Sequence, residues 1–368
     1  MMQFTGMQGE LLQCLQMVER AVATRDPSEE LTGVYLEWSN EKLTVRATDM
    51  EIGIEAYGQV QSSESGSAVL EGKFFVPLVR RLPPGEVVVK LIEEQQMLEI
   101  KAGTGSFRLQ TMAVEDFPTI GSDTKEPKAT LPSGLLARMI RQTVYATRKD
   151  QGHSAFTGIL MECSSGELRL VATDSSRLCF NRQSLAGGED FKIIVPSRTC
   201  TELLRILPTD TESTVEISLV GNQVLFSLDN VILISRLLEG QYPDYTRVIP
   251  SSTEAEIVAP CSDLAAALER ANLMGKKGPA IVTFDLEEGV LRLQSRDVEL
   301  GESEETLVVE QQGPKVRSSF QARFILEMLK TVTSEKISFG LSNGLNPGII
   351  RPADSQDYLY VIMPVRTV

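Results

Sequence analysis

The stretch Leu43-Thr44-Val45-Arg46-Ala47-Thr48-Asp49 recurs twice more along the chain. Its second copy is Leu168-Arg169-Leu170-Val171-Ala172-Thr173-Asp174, and a weaker third copy is Leu291-Arg292-Leu293-Gln294-Ser295-Arg296-Asp297. Each copy resembles a half-buried strand that ends in a turn-forming aspartate. The copies are spaced by about a third of the 368 residues, which indicates a repeated structural unit.

Other features follow the same period. Residues 115–120 (EDFPTI) match 240–245 (GQYPDY), and residues 74–77 (FFVP) match 193–196 (IIVP), with 319–322 (SFQA) as the third copy. Ser, Thr, Pro and Lys are frequent between the copies, as in linkers. We therefore predict three domains, with boundaries at 1–125, 126–252 and 253–368.

Each unit shows the same coarse order of elements: a helix, strands, a shorter helix, and more strands. The helices are predicted at 9–24, 133–149 and 262–274, and the shorter ones at 77–82, 197–206 and 321–331. This order predicts an α+β fold in which two helices per domain pack on antiparallel sheet.

The distribution of charge differs from the total charge. The formal net charge of −14 argues against nucleic acid as a partner, because phosphate binding needs clustered Lys and Arg. Counted over 9–25, 75–82, 133–149, 197–206, 262–277 and 321–330, the six predicted helices and their flanking residues nevertheless hold 15 basic and 6 acidic residues. This segregation suggests helices that face a polyanion and sheets that face solvent, although solvated basic helix faces are the alternative.

The predicted helix at 133–149 shows the pattern best. Arg138, Arg141, Tyr145 and Arg148 follow one another at intervals of three or four residues, beside an apolar stripe. Such a face can contact phosphates without distinguishing the bases. It can also be an ordinary solvated face.

Catalytic motifs are missing from the sequence. His153 is the one histidine, and there is no G-x-S-x-G, phosphate-binding loop or dinucleotide fingerprint. Asp49 and Asp174 suit turns, and the run at 302–305 suits a solvated loop rather than a metal site. We expect no enzyme activity, no catalytic residue, no metal and no cofactor.

The cysteines and the apolar runs indicate the compartment. The five cysteines lack C-x-x-C spacing, which predicts buried free thiols in a reducing cytosol. The sequence shows no signal peptide and no apolar run of the ~18 residues that a membrane span needs. We expect a cytoplasmic protein without a membrane partner.

Several motifs together resemble a known family. They are Ala172-Thr173-Asp174-Ser175-Ser176-Arg177-Leu178, Gln241-Tyr242-Pro243-Asp244-Tyr245, Ser319-Phe320-Gln321-Ala322-Arg323-Phe324 and Tyr360-Val361-Ile362-Met363-Pro364-Val365-Arg366. In this order and spacing they resemble the bacterial replicative sliding clamps, the beta subunit of DNA polymerase III. The resemblance extends over the whole chain.

The resemblance implies a non-catalytic processivity factor for DNA replication. It implies three repeated DNA-clamp domains per chain, closed as a head-to-tail homodimeric ring around double-stranded DNA, independent of sequence. Helices would line the hole and sheets would form the outer wall. At the dimer interface we place Phe107 and Leu109 against Leu273 and Met274, with ordinary core packing as the alternative.

The family also implies a pocket for short linear motifs of its partners. These partners are the replicative DNA polymerase, the clamp loader, other polymerases, mismatch-repair proteins and ligase. The matching positions are Phe156, Thr173, Ser175, Arg177, Leu178, Pro243, Arg247, Val248, Gln321, Phe324, Leu345, Val361, Met363, Pro364, Val365 and Arg366. Arg177, Arg247 and Gln321 would orient a polar peptide residue, while the apolar residues anchor leucine and phenylalanine. Alternatively, 361–364 is a final core strand.

The sequence departs from the family at some of these positions. Ser175-Ser176 replaces a usual Gly-His pair, and Gln321 and Phe324 replace a usual Asn and Tyr, so the peptide preference stays open. For DNA contacts, Arg25 matches the family, and Lys149 and Gln151 lie in the matching loop. The predicted DNA-binding positions are Arg25, Arg80, Arg138, Arg141, Arg148, Lys149, Gln151, Arg198, Lys276 and Lys277.

Two other functions remain open from the sequence. One is an acidic three-repeat scaffold that never touches DNA. The other is an enzyme with an active site between repeats, which the single histidine disfavours.

Overall fold

A computed structural model describes residues 2–23, 29–118, 126–150, 154–208, 212–275 and 278–366. Elements of the first repeat are β1 (Gln3–Met7), α1 (Gln8–Val18), β2 (Gly33–Ser39), β3 (Lys42–Thr48), β4 (Ile52–Gln59), β5 (Gln61–Ser62), β6 (Gly66–Glu71), α2 (Gly72–Arg81), β7 (Glu86–Ile92), β8 (Met97–Ala102) and β9 (Gly105–Gln110). Elements of the second are β10 (Ala129–Pro132), α3 (Ser133–Arg141), β11 (Gly158–Ser164), β12 (Glu167–Thr173), β13 (Arg177–Ser184), β14 (Phe191–Pro196), α4 (Ser197–Ile206), β15 (Thr214–Val220), β16 (Gln223–Leu228) and β17 (Val231–Arg236). Elements of the third are β18 (Ala255–Pro260), α5 (Cys261–Asn272), β19 (Ile281–Glu287), β20 (Val290–Asp297), β21 (Gly301–Val308), β22 (Glu310–Gln312), β23 (Val316–Gln321), α6 (Ala322–Leu329), β24 (Lys336–Leu341), β25 (Gly348–Pro352) and β26 (Tyr358–Ile362). The three repeats share one order of elements, which confirms the α+β prediction.

The aspartates that end the repeated stretches form the same turn. Asp49 Oδ1 accepts hydrogen bonds from the amides two and three residues ahead, at 3.1 and 2.9 Å. Asp174 does the same at 2.9 and 3.1 Å, and Asp297 at 2.8 and 3.0 Å. In the first two repeats the preceding threonine hydroxyl donates to a carbonyl four residues on, from Thr48 at 3.0 Å and from Thr173 at 2.6 Å. These aspartates therefore shape turns, as an aspartate at a strand end commonly does.

The chain divides into two compact units. The first consists of Met1–Gly134 and Thr201–Leu237. It holds a five-stranded sheet of order β5-β1-β7-β8-β9 and an eight-stranded sheet of order β10-β15-β16-β17-β4-β3-β2-β6. In the larger sheet β4 of the first repeat pairs antiparallel with β17 of the second, a junction called the first seam here.

The second unit consists of Leu135–Cys200 and Leu238–Val368. It holds a nine-stranded sheet of order β14-β11-β12-β13-β26-β25-β24-β18-β22 and a four-stranded sheet of order β21-β20-β19-β23. Here β13 of the second repeat pairs antiparallel with β26 of the third, and this junction is the second seam. Strands β9 and β21 lie at the edges of their sheets.

Three helices depart most from their predicted ranges. Helix α1 ends at Val18 instead of residue 24, and a 3-10 turn follows at Glu19–Ala21. Helix α3 ends at Arg141 instead of residue 149, and a 3-10 turn follows at Val144–Ala146. The hydroxyl of Thr143 donates to the carbonyl of Met139 at 2.9 Å, and such back-bonding by a β-branched residue opposes helix propagation. Helix α2 begins at Gly72, ahead of the predicted start at 77, and contains Pro77.

The acidic run at 302–305 was expected in a loop, but it lies on strand β21, so that expectation was wrong. Four of the cysteines are buried, Cys261 is partly exposed, and all five are free thiols. Among the described residues no helix is long and apolar enough to cross a membrane, and no cluster of three or more metal-ligating side chains occurs. His153 lies outside the described residues.

Candidate binding site

The second seam carries an apolar cluster on one face of the nine-stranded sheet. Leu178 on β13 lies opposite Val361 on β26, and both are buried. The buried members of the cluster are Leu160, Val171, Leu178, Ile194, Tyr242, Ile349, Leu359 and Val361. Phe156 contacts the ring of Tyr242 edge to face, with centroids 6.1 Å apart, which adds a half-buried aromatic group to the cluster.

More exposed apolar side chains come from the segments that flank this cluster. Val248 is exposed, as are Pro243 and Leu345, and they lie in the segments 243–248 and 342–347. After β26, the half-buried Met363 donates its amide to Ser176 O at 2.9 Å. Val365 donates its amide to Ser319 O at 2.7 Å. Val361 thus belongs to a core strand, as the alternative proposed, while residues 363–365 continue past its end as partly exposed apolar groups that a peptide can contact.

Arg177 lies buried beside the cluster and is bound by its own chain. Its Nε donates to Asp174 Oδ2 at 3.0 Å, its Nη1 to Glu327 Oε2 at 2.6 Å, and its Nη2 to Tyr145 O at 2.7 Å. Its guanidinium also stacks on Phe324, 4.2 Å from the ring centroid. The guanidinium therefore joins β13, α6 and the 3-10 turn, and its predicted role in orienting a peptide stays a prediction.

The charges around Arg177 stabilise one another. Burial lowers the pKa of Arg177, but Tyr360 and the carboxylates of Glu327 and Asp174 outweigh it, so the pKa is raised. Burial raises the pKa of Glu327, but hydrogen bonds from Arg323 and Arg177 outweigh it, so the pKa is lowered. Both groups are held in their charged forms.

The remaining predicted polar positions lie at the surface of this region. Ser175 is exposed and has φ +78°, a left-handed conformation that favours glycine. Arg247 is 84% exposed in its side chain and pairs with Asp244 at 2.9 Å. Gln321 is half-buried at the start of α6, and Arg366 is exposed.

All sixteen predicted pocket residues belong to the second unit. Tyr242, Tyr245 and Ile249 also pack in or against the cluster and were not predicted. The repeated 115–120 and 240–245 motif gave a signal for the two tyrosines, because it recurs at the end of both repeats. Glu327 gave none, because it lies 150 residues from Arg177 in sequence.

The predicted DNA-binding positions divide into three groups. Arg138 and Arg141 are exposed near the end of α3, and within the described ranges neither forms an ion pair; Lys149 and Arg198 are exposed too. Arg80 pairs with Glu19 at 2.8 Å, and Arg148 lies beside Phe156. Four positions lie outside the described residues: Arg25, Gln151, Lys276 and Lys277.

The observed helix ranges differ from the predicted ones, and the charge that the helices hold changes accordingly. Within their observed bounds the six α-helices hold nine basic and five acidic residues, instead of fifteen and six. The excess of positive charge is therefore smaller than the sequence suggested. It is concentrated in α2 and α3, whose observed ranges contain no acidic residue.

The predicted dimer positions lie at the surface. Phe107, 38% exposed, and the half-buried Leu109 lie on the edge strand β9. Leu273 is 70% exposed directly after α5, and Met274 follows it half-buried. Phe107 and Leu273 are thus not core residues of the single chain.

Similar proteins share the full length of this chain. Three family models match it: the DNA polymerase III beta subunit N-terminal domain at residues 2–121, the central domain at 130–244 and the C-terminal domain at 246–366. The beta sliding clamp of Bacillus subtilis is 29% identical over 100% of both chains. The crystal structure of the Bacillus subtilis clamp matches with TM-score 0.95 and 29% identity over 100% of both chains. A Pseudomonas aeruginosa clamp solved with bound griselimycin matches with TM-score 0.95 and 27% identity, again over 100% of both chains.

Proposed function

This chain belongs to the DNA polymerase III beta subunit family, the sliding clamps, and we propose that two copies of it close head to tail into a ring around duplex DNA. As a member of that family it is the non-catalytic processivity factor of DNA polymerase III. The observation that carries the ring is the repeated pairing at the two seams. Rings form when such heterologous contacts close.

Both seams follow one rule. In each, the third strand after the first helix of a repeat pairs with the last strand of the next repeat, β4 with β17 and β13 with β26. The strands left over are β21 of the third repeat and β9 of the first, and both are edge strands. Because unpaired edge strands tend to pair with another strand, a third seam between β21 of one copy and β9 of another would give both edges a partner.

Burial at equivalent positions supports this third seam. Leu233 on β17 and Tyr360 on β26 occupy the place that Phe107 occupies on β9, and both are fully buried in their seams. Phe107 is the one of the three that is exposed. A neighbouring strand would bury it beside Leu273 and Met274 of the other copy, together with Leu109.

The seams also predict the register of the third. The threonine near the end of the repeated stretch pairs with Gly53 in the first repeat and with Leu178 in the second. Across the seams, Gly53 lies opposite Ile234, and Leu178 lies opposite Val361. The equivalent residue on β21 is Glu302. On β9 the equivalent of Ile234 and Val361 is Arg108, so Glu302 of one copy would lie opposite Arg108 of the other, a favourable charge pair.

The basic ends of the helices would face the DNA. Exposed Arg138 and Arg141 supply charge for phosphates without reading bases, which a protein that slides requires. Arg80, Arg198 and Lys149 are proposed contacts as well. Tethering a polymerase this way raises its effective concentration at the primer end.

The test of the ring is topological. We expect the clamp, once loaded, to remain on nicked circular DNA and to slide off when the circle is cut. Replacing Arg138 and Arg141 by glutamate should reduce the salt slope of DNA binding by roughly 2, one per phosphate contact. The matched control is Arg292→Glu with Lys315→Glu, the same charge change at exposed residues of the third repeat. Equal loss in both variants, or retention on linear DNA, contradicts the proposal.

The apolar cluster at the second seam would bind linear motifs of partner proteins. These are the replicative polymerase, the clamp loader, other polymerases, mismatch-repair proteins and ligase. Deleting residues 365–368 should abolish binding of a Gln-Leu-x-Leu-Phe peptide while the unfolding midpoint stays nearly unchanged. Undiminished peptide affinity in that variant removes this site assignment.

Two coarser features complete the proposal. The domain boundaries remain at 1–125, 126–252 and 253–368, and we place the protein in the cytoplasm. Limited proteolysis tests the boundaries, because cleavage should concentrate near residues 122–132 and 250–254.

A further inference from the structure

We propose that Arg148 belongs to the peptide-binding site and selects partner motifs that carry a carboxylate beside their apolar anchor. The inference rests on the proposed peptide site and adds to it a polar selectivity. It also moves Arg148 from the predicted DNA-contact positions to the rim of the second seam.

Arg148 lies next to the apolar cluster of the second seam. Its guanidinium lies 5.2 Å from the ring centroid of Phe156, and its Nη2 donates to Ser175 Oγ at 3.3 Å. Its amide donates to Phe156 O at 2.8 Å, which fixes the backbone next to that ring. Phe156 in turn contacts Tyr242 of the apolar cluster. Arg148 therefore lies where a peptide anchored on the cluster would pass.

The guanidinium of Arg148 can bind a further hydrogen-bonding partner. The side chain is 35% exposed, and its hydrogen bond to Ser175 at 3.3 Å is long for a charged donor. The carboxylate of Asp150 lies 3.6 Å from its Nε but is 77% exposed, so solvent screens this pair. A guanidinium has five N–H donors, and a carboxylate can accept two of them side by side.

Arg177 differs from Arg148 in exposure and in the number of contacts within the chain. All three nitrogens of Arg177 donate to groups of the chain itself, and its side chain is 3% exposed. It cannot turn toward a ligand without breaking its ion pairs with Glu327 and Asp174. Arg148 has the exposure that Arg177 lacks.

The hydroxyl of Ser175 accepts the hydrogen bond from Arg148. Ser175 holds φ +78° in the turn after β12, with its amide bonded to Thr173 Oγ1 at 3.1 Å. A glycine there would have no hydroxyl to offer. The serine thus positions the guanidinium at the rim, in a chain whose turn would otherwise favour glycine.

The experiment compares isosteric peptides. A Gln-Leu-x-Leu-Phe peptide is prepared with aspartate, and separately with asparagine, at the residue before Gln, at x, and after Phe. Affinities for the wild-type chain and for Arg148→Gln are measured by calorimetry at low and high salt. We expect at least one position where aspartate binds about tenfold tighter than asparagine, the size typical of a charged hydrogen bond. Arg148→Gln should remove that preference, and salt should weaken it.

Controls separate a specific contact from general attraction. Lys149→Gln removes the same charge from the neighbouring exposed side chain, which lies outside the predicted peptide-binding positions, and it should keep the preference. Ser175→Gly should reduce the preference while peptide still binds. If the wild type binds the peptides but shows no aspartate preference that depends on Arg148, the inference is wrong and the peptide site stands. If no peptide binds the wild type, the peptide site itself fails.

Discussion

The two seams have the same backbone pairing and opposite chemistry on one face. Beside the first seam, within the first repeat, Arg46 on β3 lies opposite Glu55 on β4, and Arg46 Nε donates to Glu55 Oε2 at 2.5 Å. The hydroxyl of Tyr57 donates to the same carboxylate group. At the equivalent pair of the second seam, Val171 lies opposite Phe180, within and against the apolar cluster.

This difference explains why one seam is expected to bind peptides and the other is not. At the first seam the apolar cluster is smaller, with Leu225, Ile232 and Ile234 as its buried members, and it lies beside the buried carboxylate of Glu55, which is costly to cover with an apolar side chain. The apolar pair leaves a surface that gains by being covered. We propose that this cross-strand pair makes the second seam, rather than the first, suitable for an apolar peptide.

Of the substitutions considered at the two seams, removal of Arg177 should lower the unfolding free energy most. Arg177→Ala leaves Glu327 and Asp174 without their shared partner and removes the stacking on Phe324. We expect a loss of about 4 kcal/mol in unfolding free energy, within the range for a broken buried ion pair. Denaturant unfolding measures it. A loss below 1 kcal/mol would show that the network contributes little to the seam.

A double-mutant cycle at Arg46 and Glu55 tests the first seam. Arg46→Val alone leaves the buried carboxylate of Glu55 without its cation and should cost about 3 kcal/mol. Arg46→Val with Glu55→Phe copies the pair of the second seam and should cost no more than about 1 kcal/mol, because packed apolar pairs replace buried ion pairs well. Additive costs in thermal unfolding would contradict the equivalence of the two pairs.

Acid should weaken the second seam through Glu327. Its pKa is lowered from 4.5 in the folded chain, so its contribution is complete above that value and is lost as pH falls through the folded pKa. We expect up to about 1 kcal/mol, since solvent screens a partly exposed carboxylate. Unfolding free energies from pH 6 to 3 should fall less steeply in Glu327→Gln. Identical pH profiles would exclude this role.

The smallest expected effect compares the turns of the two seams. Ser175 has φ +78° and Met50, its equivalent in the first repeat, has φ +71°. Replacing either by glycine relieves backbone strain but gives the unfolded chain more freedom, so we expect a gain of about 0.5 kcal/mol at each. Matched shifts in melting temperature support the equivalence. Destabilisation at one turn alone would mean that its side chain makes a contact worth more than the strain.

The sequence predicted the repeats because local signals recur: the alternating strand, the aspartate and the threonine that bond the same turn in the first two repeats. It did not predict where α3 ends, because the hydrogen bond from the Thr143 hydroxyl to the carbonyl of Met139 depends on the local backbone geometry, which the sequence pattern does not reveal. It could not place Glu327 on Arg177, because nothing local links residues so distant in sequence. The apolar pocket positions came from the family resemblance, and the pairing of β13 with β26 explains why Leu178 and Val361 meet.

The head-to-tail ring depends most on the third seam, and one cross-linking measurement tests that seam directly. Arg108→Cys and Glu302→Cys, combined in one chain, should form intermolecular disulfides on mild oxidation, because the register places them opposite each other in two copies. Denaturing gels without reductant should then show a covalent dimer, and each single variant should stay monomeric. If the denaturing gel shows only monomer after oxidation while the double variant sediments as a dimer, the two copies meet through other surfaces and the head-to-tail ring is wrong.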